Sequence, residues 1–94
     1  MVRAVVLYAA EPEADAYAHH VELCRRVGGA TFRHGPIFGS PVGDARYRYY
    51  AEFEFPDRES FKTAARSDEF AATGDHAQKL GVPFEVFFVD VDSA

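Results

Sequence analysis

The stretch Arg46-Tyr-Arg-Tyr-Tyr-Ala-Glu-Phe-Glu-Phe55 decides the fold of this chain. Apolar residues, most of them aromatic, alternate here with mainly charged ones, and a hydropathy period of two over these positions predicts a β-strand. The apolar face has to be covered, which helices can do. The other face carries Tyr50 among its charges, which indicates that it also meets a surface, such as a second subunit. The alternative is that one tyrosine on a solvated face is ordinary.

Length and composition exclude several classes of protein. The 94 residues are enough for a single domain, spanning 1–94, and a composition of 48% hydrophobic and 27% charged residues is globular rather than disordered. The net charge of −5 argues against a nucleic-acid partner. The chain shows neither an apolar run of about 18 residues nor a signal peptide, so we expect a cytoplasmic protein without a membrane partner. The single Cys24 excludes an internal disulfide and fits a small buried hydrophobe.

The first half of the chain predicts two strands and a helix. The almost continuously apolar run of residues 2–8 is typical of a central strand that is buried on both faces. Residues 13–27 follow a helical period, with acidic side chains at the start and Gly28-Gly29 at the end. Residues 30–40 predict a weaker strand, interrupted by Gly35-Pro36 as at an edge or a bulge, and a turn over 41–45 follows.

The second half predicts one helical segment and a last strand. Asp57 is a candidate N-cap, and the apolar stripe continues to Leu80. Within this second helix, Ser67-Asp68 is a candidate restart and Gly74 a candidate kink or break. Pro83 prevents continuation, and residues 84–91 form a strand that is apolar on both sides.

The resulting order is βαββαβ. Two right-handed crossovers in one four-stranded antiparallel sheet give a ferredoxin-like α+β fold, with both helices on one face and the first and third strands central. The uncovered face should be wet, yet one side of the first strand and both sides of the last are apolar. Because an exposed apolar sheet marks an interface, we expect a homodimer whose two sheets pack face to face.

Five segments spread over nearly the whole chain carry a resemblance to a known family. They are the opening Val5-Val-Leu-Tyr8, the histidine-bearing helix of residues 18–27, Phe38-Gly-Ser-Pro41, residues 49–55, and Ser60-Phe61 with Ser67-Asp-Glu-Phe70. In this order and spacing the chain resembles the EthD-like family of the dimeric α/β-barrel superfamily. The resemblance implies a dimer with a pocket in each subunit, between the sheet and the helices.

The first helix matches the family's usual segment at some positions and differs from it at others. The family usually carries a Thr-His-Leu-Pro-Leu-type segment there, and His20 takes the position of the family histidine. Glu22 stands where proline is usual, and Ala16 where a tyrosine is often found, with Tyr17 beside it. The superfamily includes polyketide cyclases, lactone isomerases, cofactor-free monooxygenases, lyases and haem enzymes, so the fold does not fix the function.

His20 is the leading catalytic candidate. It lies beside the apolar stripe of the first helix, and imidazole passes protons in either direction near neutral pH. The alternative is a half-buried histidine that orients the helix. The neighbouring His19 points about 100° away, towards solvent, so the two cannot bind one metal in the i, i+4 manner. We expect no metal site and no cofactor.

Four other side chains are catalytic candidates. Tyr49 should point from its central strand towards the helices, where a phenol can stabilise an oxyanion, and Tyr17 can do the same. Both have the alternative of an ordinary core aromatic. His76, near the predicted break, could close over a pocket, and His34 could approach the pocket or the interface. Surface positions are the alternative for these two histidines.

Substrate contacts are expected from one cation and from apolar walls. Arg3 could bind an anionic or phenolic group, with a rim charge as the alternative. The predicted walls are Val5, Leu7, Phe53, Phe61 and Phe70. The charged side of the deciding strand, with Arg48, Glu52 and Glu54, is expected to form an ion-paired seam between subunits.

These observations predict a small cofactor-independent enzyme that acts on an aromatic or polyketide-like metabolite. The chemistry would be proton transfer, as in a cyclase, isomerase or lyase, with His20 as acid and base. One alternative is a cofactor-free monooxygenase of the anthrone-oxidising kind. Another is a non-catalytic small-molecule-binding accessory protein of an oxidative pathway. A haem protein would need an axial ligand, for which His76 or His20 is available.

Overall fold

The computed structural model of the protein describes residues 1–92. Its elements are β1 (Val2–Tyr8), α1 (Ala14–Arg25), β2 (Thr31–Pro36), β3 (Tyr49–Phe55), α2 (Arg58–Ala65), α3 (Asp68–Lys79) and β4 (Phe84–Asp90). The strands form one antiparallel sheet in the order β2-β3-β1-β4. This confirms the ferredoxin-like fold and the central positions of the first and third strands. Over residues 1–92, no helix is long and apolar enough to cross a membrane.

The core fills the space between the sheet and the helices in two buried clusters. The first is made of aliphatic and phenylalanine side chains together with the single cysteine, namely Val2, Ala4, Cys24, Val27, Phe53, Phe55 and Ala64. The second is built around three tyrosines and consists of Tyr8, Tyr17, Val21, Tyr49 and Ala51. The three tyrosines therefore lie together at one end of the core.

The predicted second helix is two helices, and the candidate restart at Ser67-Asp68 is confirmed, whereas the candidate break at Gly74 is wrong. The Ser67 hydroxyl accepts a hydrogen bond from the Phe70 amide over 3.1 Å and donates one to the Ala64 carbonyl over 2.6 Å. Such an N-cap starts a new helix at this position. Gly74 continues regular α3, because one glycine costs a helix only about 1 kcal/mol.

Three strands are shorter than predicted. β2 ends at Pro36 and β3 begins at Tyr49, so residues 37–48 form a long connection, with Phe38 and Val42 exposed in it. Proline has no amide hydrogen to donate to a sheet, and beyond it one further bond joins the two segments, from the Ile37 amide to the Arg48 carbonyl over 2.9 Å. Tyr47 therefore lies outside β3, and its hydroxyl donates to the Glu85 carboxylate. β4 ends at Asp90, one residue earlier than predicted.

The face of the sheet that the helices leave open carries a closed ionic network. Arg3 pairs with Glu54 over 3.0 Å, and Arg33 pairs with Glu52 over 2.6 Å and with Glu54 over 2.8 Å. Burial alone would raise the pKa of Glu52, but hydrogen bonds from Tyr50 and Arg33 hold this pKa below its ordinary value. Two arginines against two carboxylates leave this patch without net charge.

The edge strand β4 exposes apolar side chains on both faces. Val86 and Phe88 point to the helix side, and Phe87 and Val89 point to the open side, with between 40% and 61% of each residue exposed. The helices therefore cover β1 and β3 but leave the β4 edge of the covered face accessible. Any cavity beneath the helices opens at this edge.

Candidate active site

A small apolar cavity lies between the sheet and helices α1 and α3. Its volume is about 120 Å³, and its lining includes Ala4, Val6 and Tyr8 of β1, His20 of α1, Phe53 of β3, Phe70, Thr73, Gly74 and Ala77 of α3, and Phe84, Val86 and Phe88 of β4. His20 is the ionisable base in this wall. Hydroxyl groups in the lining come from Tyr8 and Thr73. The cavity can therefore hold an apolar molecule and offer it one imidazole.

His20 meets His76 across the gap between α1 and α3. The two Nδ1 atoms are 3.0 Å apart, and the rings are stacked at 18° with their centroids 5.1 Å apart. The helical period places His20 on the buried side of α1, where the residue is 4% exposed, whereas His76 on α3 is only half-buried. A buried ring and a more accessible ring thus form one pair.

The environment of this pair favours the neutral imidazole. Burial, together with the nearby His76 and His19, lowers the pKa of His20 to about 4. Burial, His19 and Lys79 also lower the pKa of His76. A base that is neutral at physiological pH can accept a proton from a substrate.

Tyr17 lies between the histidine pair and a second polar pair. Its ring centroid is 5.4 Å from that of His20 and also 5.4 Å from that of His34. Its hydroxyl is buried and has no hydrogen-bond partner among the described residues. Burial raises the pKa of Tyr17, and the nearby Tyr8 raises it further although the two hydroxyls do not meet hydrogen-bond geometry. Burial likewise raises the pKa of Tyr8 to about 12. These phenols are neutral, and the Tyr17 hydroxyl is buried outside the cavity lining.

The second polar pair, His34 and Tyr49, lies on the other flank of α1. The Tyr49 hydroxyl is 2.7 Å from Nδ1 of His34. Both side chains line a separate cleft of about 240 Å³, together with Tyr17 and the residues that precede and begin α1. His34 is exposed, and its pKa is lowered by loss of solvent around the ring and by Arg25. The five predicted catalytic side chains therefore form two groups rather than one.

The structure places two of the five predicted wall residues at the cavity and the other three elsewhere. Phe53 and Phe70 line the cavity as predicted. Val5 and Leu7 do not, because strand neighbours alternate between faces, and Val5 is paired with Glu52 on the open side. The residue of β1 that lines the cavity at this level is Val6.

Two further predicted contacts also lie elsewhere. Arg3 belongs to the ionic network of the open face, bound to Glu54, and does not line the cavity. Phe61 is on the covered face, but it packs against Phe55 and Phe88 at the other end of the core. Glu52 and Glu54 form ion pairs within the chain, whereas Arg48 precedes β3 and lies outside that network; a seam between subunits stays a prediction.

Sequence reasoning missed the partner of His20 and two polar wall residues. His20 and His76 are 56 positions apart, and no local period links them. Thr73 precedes His76 by one helical turn, so a helical projection of α3 would have placed it beside the cavity. Tyr8 shares the parity of Ala4 and Val6, and that pattern was available in the sequence.

Comparison with known proteins gives matches at the level of structure. A scan against protein-family models finds no match, and no curated protein matches the sequence. An EthD (ethyl tert-butyl ether D) family protein from Bacillus halodurans C-125 is 27% identical with a TM-score of 0.78, over 98% of this chain and 99% of that one. A dimeric ferredoxin-like protein of unknown function from Jannaschia sp. CCS1 is 19% identical with a TM-score of 0.73, covering 96% and 98% of the two chains.

A third structure adds an enzyme with the same fold. SnoaB, a cofactor-independent oxygenase from Streptomyces nogalater, is 18% identical with a TM-score of 0.63, and the match covers 99% of this chain and 94% of that one. At this identity the likeness concerns the fold alone. Together with the sequence segments quoted above, the structural matches confirm that this chain resembles the EthD-like family and shares the fold of the dimeric α/β-barrel proteins.

Proposed function

We propose that the protein is a cofactor-independent enzyme that transfers a proton to or from a small aromatic metabolite, with His20 as the acid and base. The observation that carries this proposal is a buried, neutral imidazole in the wall of an otherwise apolar cavity. A histidine that serves only the core would be expected to have a carboxylate or carbonyl partner. The hydrogen-bond partner of His20 among the described residues is another neutral histidine.

The size of the cavity narrows the class of substrate. Its volume of about 120 Å³ is close to the roughly 150 Å³ of an engineered protein cavity that binds benzene. One aromatic ring can therefore be enclosed, while a fused-ring polyketide would have to extend past Val86 and Phe88 at the β4 edge. The substrate class that this cavity favours is a lactone, phenol or ketone that contains a single aromatic ring.

Proton transfer at carbon can be tested without knowledge of the product. We would screen 2-coumaranone, resorcinol and phenylacetone by thermal shift, because a ligand that binds the folded state raises the melting temperature. Each compound would then be incubated with the protein in D₂O and followed by NMR. We expect protein-dependent exchange of an acidic C–H for deuterium with at least one compound.

Substitution of His20 assigns the exchange to this residue. His20→Ala should lower the exchange rate by about 10²–10⁴-fold, whereas Asp75→Asn, an exposed position on α3, should leave it unchanged. Binding of no panel member, or an exchange rate unaffected by His20→Ala, would overturn the proposal. Tight binding without exchange would instead favour a small-molecule-binding accessory protein.

The same cavity could serve a cofactor-free monooxygenase, the second candidate function. Tyr8 lines the cavity, and its phenol could hold an electron-rich phenolate or enolate while oxygen reacts with it. An oxygen electrode separates the two activities. Oxygen consumption with resorcinol that requires the protein would establish the oxygenase, and exchange without oxygen consumption would establish proton transfer alone.

We also propose that two copies of the chain pack through their open sheet faces. That face combines the apolar residues Val5, Leu7, Phe87 and Val89 with an ionic network that has no net charge. Two such faces can meet without like-charge repulsion and would bury the exposed aromatic side of β4. Light scattering at micromolar concentration should give twice the chain mass, and Phe87→Glu should give a monomer. A monomeric mass for the wild type would contradict the dimer.

A further inference from the structure

The contact between His20 and His76 restricts the protons that the two rings can hold. Their Nδ1 atoms are 3.0 Å apart, which for neutral rings is a hydrogen bond only when one Nδ1 carries a hydrogen and the other offers a lone pair. If His20 carries the Nδ1 hydrogen, its Nε2 has a free lone pair and acts as a base. If His76 carries that hydrogen, His20 carries its own on Nε2 and acts as an acid.

We propose that His76 is a proton relay that exchanges protons between His20 and solvent and thereby resets His20 from acid to base. This inference rests on the proposed function, since it requires His20 to take a proton from the substrate. His76 does not line the cavity, so it acts through His20 as a positioning and relay residue.

Proton transfer through the pair starts at the substrate. A C–H bond of the substrate breaks, the electron pair stays on the substrate as an enolate or phenolate, and the proton forms an N–H bond at Nε2 of His20. The Nδ1 hydrogen of His20 then moves to Nδ1 of His76, and His76 releases its Nε2 hydrogen to water. When His20 donates its Nε2 hydrogen to another atom of the substrate, the Nδ1 hydrogen of His76 returns to Nδ1 of His20, and Nε2 of His76 takes a hydrogen from water. The pair is then in its starting state, with His20 again a base.

The surroundings of the pair favour transfer in the outward direction. His20 is almost fully buried, whereas His76 is half-buried, so a positive charge is better solvated on the outer ring. The charged and titratable groups near the pair are His19 on α1, whose ring centroid is 5.0 Å from that of His76, and Lys79 on α3. Tyr8 and Tyr17 are neutral neighbours on the sheet side. Repulsion from Lys79 promotes loss of the proton from His76.

The tautomers of the His20 and His76 rings can be measured in the ligand-free protein. With ¹⁵N-labelled histidine, NMR should show that the Nδ1 atoms of His20 and His76 share one hydrogen, so that their tautomers change together. In His76→Phe the tautomer of His20 should shift, while Asp75→Asn, an exposed neighbour on α3, should leave it unchanged. Independent tautomers in the wild type, or an unaltered His20 tautomer in His76→Phe, would overturn the relay.

Deuterium exchange of 2-coumaranone provides the second measurement. His76→Phe should lower the exchange rate by about 10²-fold, and added imidazole should restore part of it, because a small base can carry the proton instead. A structural role of His76 would not give rescue by imidazole. Exchange that needs His20 but not His76 would overturn the relay and leave the proposed function intact. Linked tautomers without exchange of any panel compound would overturn the proposed function itself.

Discussion

Glu52 on the open face of the sheet is a buried charge with its partners, whereas Tyr17 on the helix-covered face has a buried hydroxyl without a partner among the described residues. Glu52 is 6% exposed and is bound by Arg33 and Tyr50. His20 on the covered face is hydrogen-bonded to another histidine rather than to a carboxylate or a carbonyl. This contrast supports the proposal that the covered face, unlike the open face, serves a ligand.

The largest expected effect concerns the apolar side chains of the two faces. Phe53→Ala on the covered face removes a ring that is 4% exposed, and should lower the free energy of unfolding by about 3–5 kcal/mol. Phe87→Ala on the open face, where the residue is 48% exposed, should cost far less in a dilute sample. Chemical denaturation at several protein concentrations measures both. A cost for Phe87→Ala that grows with concentration would sharpen the comparison, because it would show that a second copy covers this face.

The next effect is the pH dependence of stability due to His20. Its pKa falls from 6.5 in the unfolded chain to about 4 in the folded one, so between these values the unfolded state binds more protons. The stability from this group is fully present above pH 6.5 and is lost as the pH falls towards 4. The loss between pH 7 and pH 5 should be about 2 kcal/mol.

The variant His20→Gln isolates this contribution. The difference in unfolding free energy between wild type and His20→Gln, which removes the titration of His20 together with its coupling to His76, should therefore change over this range. A difference that stays constant from pH 7 to pH 5 would show that His20 is solvated like an ordinary histidine, and the contrast between the two faces would disappear.

The smallest expected change in stability comes from removing one hydroxyl group from each face of the sheet. Tyr50→Phe deletes a hydrogen bond of 2.7 Å to Glu52 and should cost about 1–2 kcal/mol. Tyr17→Phe deletes a buried hydroxyl without a partner and should leave stability unchanged or raise it by up to about 1 kcal/mol. Thermal denaturation of the two variants compares them directly. Equal losses in both would show that the Tyr17 hydroxyl is satisfied in solution.

The regular parts of the fold were predictable because short periods encode them. The alternation around Phe53 predicted β3, and the helical stripe placed His20 against the sheet. The alternation of residues 46–48 overextended the predicted strand. Arg48 still makes backbone hydrogen bonds to Ile37 and Tyr8, but the regular ladder of β3 begins at Tyr49.

The site was predictable only in part. The prediction that Val5 and Leu7 line the cavity was wrong. Because β1 is apolar on both faces, hydropathy alone cannot say whether its odd-numbered or its even-numbered residues face the helices. The pairing of His20 with His76 depends on how α3 restarts at Ser67 and crosses α1, which is a tertiary property. His34 and Tyr49 line a different cavity from His20, and this separation is also a tertiary property.

The exposed run of β4 bears on aggregation. Four consecutive exposed apolar residues on an edge strand, Val86 to Val89, are a template for uncontrolled strand pairing. The flanking carboxylates of Glu85 and Asp90 act as gatekeepers that oppose such pairing. A chain with β4 uncovered is therefore at risk of aggregation, and if the proposed dimer covers this strand, variants that block assembly should be recovered in lower soluble yield.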